Sequence, residues 1–189
     1  MGFWKLVALN ATIMKLLSTI IFLSMITNPS LIFDFQLNSD IKNWNIVDDG
    51  VMGGMSAGNF ALSEDGHGRF WGDVSIENNG GFSSLRYTFK EHSTEGFKKL
   101  KLRVKGDGKN YQVRIKHNRR DYYSYIYTIA TKTDWQTIAV DLKDMRPSFR
   151  GRFLDMDNFD HDSIEELTFL IANKQKESFE LMIDKIEFE

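Results

Sequence analysis

The strictest pattern in the chain is the alternation of charged and apolar side chains over Lys99–Lys105. Side chains of a β-strand point alternately to its two faces, so this segment predicts a strand with one buried and one solvated face. After the turn at residues 106–108, residues 111–115 alternate in the same way. The two segments therefore predict a β-hairpin with an apolar inner face.

The rest of the chain also divides into short apolar or alternating segments, separated by turn residues at intervals of about ten residues. Further strands are predicted at residues 31–35, 60–62, 69–74, 82–89, 122–130, 135–142, 167–172 and 179–188. Helical patterns are few, and residues 163–167 form at most a single helical turn. Many short strands with regular turns indicate an all-β sandwich or barrel.

Composition narrows the range of functions. A chain of 189 residues suits one domain, and 42% hydrophobic with 13% aromatic residues excludes global disorder. The formal net charge of -2 lacks the basic footprint of a nucleic-acid-binding protein. Cysteine is absent from the sequence, which excludes disulfides and thiolate chemistry.

The N-terminus carries a targeting pattern. Residues 16–27 form an apolar run of signal-peptide length, shorter than the ~20 residues of a membrane span. If translation begins at Met14, this run has the short basic start of a signal peptide. Alternatively, residues 3–26 form one interrupted apolar helix that serves as an uncleaved anchor. We expect a signal-like or anchor segment at residues 1–30 and a β domain at residues 31–189. Export to the periplasm or cell envelope, or tethering to a membrane there, is favoured over a cytoplasmic location.

Two glycine-rich stretches interrupt the strand pattern. Residues 44–56 run from an apolar strand end through Asp48 and Asp49 into three glycines, and residues 77–86 repeat the order of polar turn, glycine pair and apolar strand. Glycine disfavours helix and reaches positive φ without a Cβ clash, so sharply folded loops are predicted in both places. The apolar residues between the glycines indicate that the first loop lies against the domain body.

These loops belong to a series of motifs along the chain. They are Asp-Asp-Gly-Val-Met-Gly-Gly at 48–54, Phe-Trp-Gly at 70–72, Asn-Asn-Gly-Gly-Phe-Ser-Ser-Leu-Arg at 78–86, Val-Lys-Gly-Asp-Gly at 104–108, Phe-Arg-Gly at 149–151 and Ile-Ala-Asn-Lys at 171–174. In this order they resemble the complex I intermediate-associated protein 30 family, over about residues 31 to 189. The resemblance implies a jelly-roll β-sandwich of the galactose-binding-domain-like kind. It also implies kinship with a mitochondrial assembly factor for respiratory complex I, NADH:ubiquinone oxidoreductase.

The functional expectation that follows is a non-catalytic binding module, with a chaperone or assembly role, whose loops meet a protein partner. By resemblance, that partner belongs to a respiratory or other membrane-associated assembly, and the membrane is reached through the N-terminal segment alone. A carbohydrate-binding module is the alternative. A glycoside hydrolase ranks third, because Asp48 and Asp49 are adjacent on a strand and point to opposite faces, so they cannot flank one bond.

The predicted recognition surface combines turn residues with strand aromatics, because turn residues held by a rigid sheet are common recognition sites. Its members are Asp48, Asp49, Asn78, Asn79, Arg86, Tyr123, Tyr125 and Arg150. One of the two aspartates is expected to bond the backbone N–H groups of the glycine loop. The tyrosines have two interpretations: stacking on a sugar or partner, or filling the sandwich core.

No metal or cofactor is predicted. The acidic run at residues 155–166 half resembles a calcium loop, but Phe159 replaces an oxygen ligand and Asp160 stands where glycine is required. Residues 106–109 lack the remainder of a phosphate-binding loop and join two strands. The four histidines are scattered without metal-ligand spacing.

Overall fold

Thirteen β-strands build the fold of residues 30–189, the part of the chain that this computed structural model describes. The strands are β1 Ser30–Asp34, β2 Trp44–Asp48, β3 Ala57–Leu62, β4 Gly68–Val74, β5 Ser83–Ser93, β6 Lys99–Lys105, β7 Asn110–Lys116, β8 Ser124–Ala130, β9 Gln136–Asp141, β10 Arg146–Phe149, β11 Arg152–Phe153, β12 Ser163–Ile171 and β13 Glu177–Phe188. Short 3-10 turns lie at Asp49–Met52, Glu77–Asn79 and Leu142–Asp144. The predicted N-terminal apolar helix and signal-like segment lie outside the described residues, save for Ser30.

The strands form two antiparallel sheets. The six-stranded sheet has the order β3-β4-β13-β6-β9, with β1 also paired to β13, and the seven-stranded sheet has the order β11-β10-β8-β7-β12-β5-β2. Fully buried side chains of both sheets, such as Leu102 of β6 and Phe169 of β12, meet in one core. The predicted all-β sandwich is therefore confirmed.

The predicted hairpin between Lys99–Lys105 and residues 111–115 is wrong. Strand β6 pairs with β13 and β9 in the six-stranded sheet, whereas β7 pairs with β12 and β8 in the seven-stranded sheet. Alternation shows which face of a strand is buried, and both apolar faces here enter the same core from opposite sides. The turn between these strands therefore crosses from one sheet to the other.

The helical turn predicted at residues 163–167 is also wrong. These residues begin β12, which lies between β5 and β7 in the seven-stranded sheet. Two flanking strands supply backbone hydrogen bonds to this segment, and that tertiary environment outweighs its weak local preference. Among residues 30–189, none of the helical segments has the length and apolar character of a membrane-spanning helix.

Candidate functional site

Asp49 joins the two glycine-rich loops. Its carboxylate is fully buried and accepts hydrogen bonds from Ser56 N at 3.0 Å, Ser56 Oγ at 2.5 Å, Gly81 N at 2.6 Å and Phe82 N at 3.2 Å. Burial alone would raise the pKa of Asp49, but these hydrogen bonds outweigh it and hold the pKa below its ordinary value. Asp49 is thus the predicted capping carboxylate, and it lies inside the domain and not on the recognition surface.

Glycine is required beside this carboxylate for reasons of space. A Cβ at Gly80 would lie 2.7 Å from Asp49 Oδ2, and a Cβ at Gly54 would overlap the same side chain. Asp48 makes fewer hydrogen bonds than Asp49: its Oδ2 accepts one, from Gly58 N at 2.9 Å. The two aspartates therefore shape the loops from within.

The remaining predicted residues are spread over the molecule. Asn78 is exposed in the turn Glu77–Asn79 with φ of 55°, and Asn79 closes that turn. Arg150 is exposed in the β10–β11 connection with φ of 48°. Tyr123 is partly buried and packs against the core.

Tyr125 decides between the two interpretations of the strand tyrosines. It is 4% exposed, its ring faces the core, and its hydroxyl lies 2.8 Å from His161 Nε2. Tyr111 is fully buried as well. The neighbouring Tyr122 is 61% exposed and is the tyrosine that local sequence did not distinguish from the others.

Arg86 lies on the outer face of the seven-stranded sheet, in line with two further arginines. Arg86 of β5 is opposite Thr168 of β12, which is opposite Arg114 of β7. Arg114 is in turn opposite Ile126 of β8, which is opposite Arg146 of β10. Residues opposite one another in a sheet share a face, so Arg86, Arg114 and Arg146 form one line, here called the arginine row.

The spacing of the arginine row follows from sheet geometry. Neighbouring strands lie ~4.8 Å apart, so arginines on alternate strands are about 10 Å apart at the backbone. The positions between them carry the shorter side chains of Thr168 and Ile126. Both are nearly buried, and Ile126 is not part of the hydrophobic core cluster between the sheets. They form the floor of the row.

Each arginine of the row has a different neighbour. Arg86 Nε lies 3.5 Å from Oε1 of the buried Glu166. Arg114 donates from Nε and Nη2 to Gln112 Oε1, at 3.1 and 2.6 Å. Burial, followed by the positive charge of Arg86, lowers the pKa of Arg114.

Arg146 stands at the far end of the row, beside an exposed aromatic ring. Its guanidinium lies 3.9 Å from the ring centroid of Phe153, which is 53% exposed. Tyr122 packs edge-to-face on Phe149, with ring centroids 5.2 Å apart. Phe153 is opposite Ser148 and shares the outer face with Arg146, whereas Phe149 points to the other face of the sheet. Tyr122 and Phe149 are here called the aromatic edge.

On the outer face of the six-stranded sheet, arginines are paired with carboxylates. Arg69 pairs with Glu180 at 2.6 Å, and Arg103 pairs with Asp184 at 2.7 Å. On the seven-stranded sheet, the central arginine of the row has a neutral amide as its hydrogen-bond partner. The two outer faces therefore differ in electrostatic character, although the net charge of the chain is close to zero.

No metal site is apparent among residues 30–189, since no three His, Cys, Asp or Glu side chains in this part of the chain are grouped to hold an ion.

Comparisons with known proteins agree with this architecture. The sequence profile described as complex I intermediate-associated protein 30 matches residues 33–183. An uncharacterized protein of Schizosaccharomyces pombe is 25% identical over 173 residues, covering 77% of this chain and 79% of its own.

Solved structures of similar shape include carbohydrate-binding modules. The family 11 module of cellulase Lic26A-Cel5E from Clostridium thermocellum has a TM-score of 0.66 at 16% identity, covering 86% of this chain and 94% of the module. The family 11 module from the same organism in complex with a β-1,3-1,4-mixed-linked tetrasaccharide has a TM-score of 0.64 at 17% identity, covering 85% and 94%. Likeness at this identity establishes a shared fold.

Proposed function

The chain belongs to the complex I intermediate-associated protein 30 family, and on that premise we propose that it is a non-catalytic module that binds a protein partner during assembly of respiratory NADH:ubiquinone oxidoreductase. The observation that carries the proposal is the arginine row on an outer sheet face. Arginine is enriched at protein interfaces, where its planar fork binds carboxylates and backbone carbonyls. Strands also hold such side chains more rigidly than loops do.

The proposed binding surface is the outer face of the seven-stranded sheet and not the glycine-rich loops. Asp49 joins the two loops by hydrogen bonds. The joined loops hold the end of β5, the strand that carries Arg86. Asn78, Asn79 and Arg150 then belong to the rim of the domain. The protein partner remains the one expected from the family.

A non-catalytic role is supported by how the buried carboxylates are engaged. General acid–base catalysis needs a carboxyl group that is free to exchange a proton with a substrate. The oxygens of Asp49 accept four hydrogen bonds from the protein itself. Oε1 of the buried Glu166 lies 3.5 Å from Arg86 Nε.

Native gel electrophoresis of membranes from cells that express the tagged full chain tests this function. We expect the chain to co-migrate with subcomplexes of NADH:ubiquinone oxidoreductase, and we expect deletion of its gene to reduce the assembled complex. Unchanged complex levels together with no co-migration would overturn the proposal. Mass spectrometry of the mature N-terminus in the same preparation determines whether the segment at residues 1–30 is retained as a tether.

Carbohydrate binding is a second candidate, favoured by the aromatic edge. Tyr122 and Phe149 are 61% and 37% exposed, and flat exposed rings beside hydrogen-bonding side chains suit sugar stacking. A similar structure is a module in complex with a tetrasaccharide. Glycan-array binding by the full chain that Tyr122→Ala abolishes, and that Leu37→Ala at another exposed site retains, would support this candidate. A blank array would remove it.

A further inference from the structure

We propose that the arginine row docks an acidic segment of the partner protein, laid across the strands with one carboxylate at about every 10 Å. The inference rests on the proposed function and specifies the chemistry of the partner. Its occupant is an extended, carboxylate-bearing peptide.

Charge is the first argument for an acidic occupant. The arginine row lies beside the position where Glu166 is opposite Lys116. Together these positions carry four basic side chains, Arg86, Arg114, Lys116 and Arg146, against the acidic side chain of Glu166. The side chains of Arg86 and Glu166 are 39% and 6% exposed, so the cation reaches solvent while the carboxylate stays beneath it. An incoming carboxylate therefore meets guanidinium groups first, and charge-assisted bonds between these groups are among the stronger polar contacts in proteins.

Incomplete pairing is the second argument. Nε of Arg86 is buried, and its 3.5 Å approach to Glu166 does not form a hydrogen bond. Arg114 donates from Nε and Nη2 to the neutral Gln112, which leaves its charge uncompensated there. A bound carboxylate would supply the countercharge that Gln112 lacks and would relieve the repulsion between Arg86 and Arg114.

Spacing is the third argument, and it specifies the shape of the peptide. A polyproline II segment advances ~3.1 Å per residue with three residues per turn, so every third side chain points the same way at intervals of about 9 Å. A β-strand presents same-face side chains at intervals of about 7 Å, which fits the row less well. The matching sequence pattern is an acidic residue at every third position.

The positions between the arginines carry no charge that would oppose such a peptide. Thr168 and Ile126 separate neighbouring arginines and carry shorter side chains than the arginines do. Phe153, stacked on Arg146 and 53% exposed, offers an apolar contact at the edge of the sheet.

Fluorescence anisotropy with the full chain and a labelled peptide, acetyl-(Glu-Pro-Pro)3-amide, tests the inference. We expect saturable binding that weakens as the salt concentration rises, because salt screens exposed charges. The (Gln-Pro-Pro)3 peptide should not bind, and a peptide of equal composition with its three glutamates adjacent should bind more weakly. Equal binding of all three peptides would overturn the inference.

Protein variants locate the site. Arg146→Gln and Arg114→Gln should each weaken binding about tenfold, the value of one charge-assisted bond. Arg103→Gln, an exposed arginine on the outer face of the other sheet, is the matched control and should bind like the unchanged chain. Arg114 is partly buried, so circular dichroism must show that its variant is folded. The exposed Arg146 provides the second variant, and an equal loss in the Arg103→Gln control would overturn the assignment.

The native gel separates this inference from the proposed function. If Arg114→Gln and Arg146→Gln still co-migrate with the respiratory subcomplexes and peptide binding is absent, the inference falls and the assembly function stands. If the peptide binds selectively but the unchanged chain does not co-migrate, the arginine row remains a site for acidic segments and the respiratory assignment falls.

Discussion

Asp49 is the residue on which both glycine-rich loops depend. Asp49→Asn places an amide among four hydrogen-bond donors, and we expect a loss of roughly 3 kcal/mol in the free energy of unfolding. Asp48→Asn keeps an acceptor for Gly58 N and should lose about 1 kcal/mol or less. Urea denaturation at neutral pH compares the two, and equal losses would contradict the assigned role of Asp49.

The same carboxylate predicts a dependence on pH. Because the pKa of Asp49 is lowered by folding, its stabilisation is present above its ordinary pKa of about 4 and is lost as pH falls through the folded value. The difference in unfolding free energy between the unchanged chain and Asp49→Asn should therefore shrink in strongly acidic solution. A constant difference from neutral to acidic pH would show that Asp49 does not act through its charge.

His161 gives a second pH-dependent prediction, with a midpoint nearer neutrality. Its ring stacks on His117 with centroids 4.4 Å apart, and burial followed by the His117 charge lowers the pKa of His161 against the opposing pull of neighbouring carboxylates. Those carboxylates are Asp121, Asp160 and Asp162. The unfolded chain therefore binds more protons, and stability should fall as pH drops below ~6.5. In thermal unfolding between pH 7.5 and 5.5, His161→Gln should lose less stability than the unchanged chain.

At the scale of elements, the crossover between β6 and β7 holds the two sheets together through Asp107. Its carboxylate accepts hydrogen bonds from Tyr111 OH of β7 at 3.2 Å and from Glu180 N of β13 at 3.0 Å. Burial and the Asp107 charge raise the pKa of Tyr111, so its hydroxyl stays a donor. We expect Asp107→Ala to cost about 2 to 3 kcal/mol and Tyr111→Phe about 1 kcal/mol. In urea denaturation, the double variant should lose less than the sum, because the two residues share one bond.

The positions of most strands were accessible from sequence, but their pairing was not, and β10 and β11 were absent from the predicted strands. Alternation over Lys99–Lys105 placed β6 correctly, because each strand carries its own pattern of buried and exposed side chains. The partner of β6 is β13, which lies far along the chain, and the local pattern contains no information about it. The segment that begins β12 was mistaken for a helical turn for the same reason, since its strand character comes from β5 and β7 on either side.

At the scale of the whole molecule, the candidate site was predictable where it depends on local sequence and was missed where it depends on strand pairing. Arg86 was recognised within a glycine-rich motif, and one of the two adjacent aspartates was expected to cap the glycine loop, because a motif and a turn are local in sequence. The choice of Asp49 depends on its hydrogen bonds from Gly81 N and Phe82 N, which belong to the other loop. Arg114 and Arg146 were missed as partners of Arg86, because their alignment depends on the register of five adjacent strands. An outward polar residue in an alternating strand is by itself weak evidence for a binding site. Such residues form a candidate site when separate strands place several of them in one line across the sheet.

Phe35 tests whether the two sheets unfold as one body. It is 4% exposed and lies 5.2 Å from the Trp44 ring of the seven-stranded sheet and 6.0 Å from the Phe60 ring of the six-stranded sheet, measured between centroids. Phe35→Ala should cost about 3 to 5 kcal/mol, a large share of the 5 to 15 kcal/mol typical of a domain. Leu37→Ala, at a site 71% exposed, should change stability by less than about 0.5 kcal/mol. Because the core is continuous, far-ultraviolet circular dichroism and tryptophan fluorescence should report the same shifted midpoint in urea, and two separate transitions would show that the sheets unfold independently.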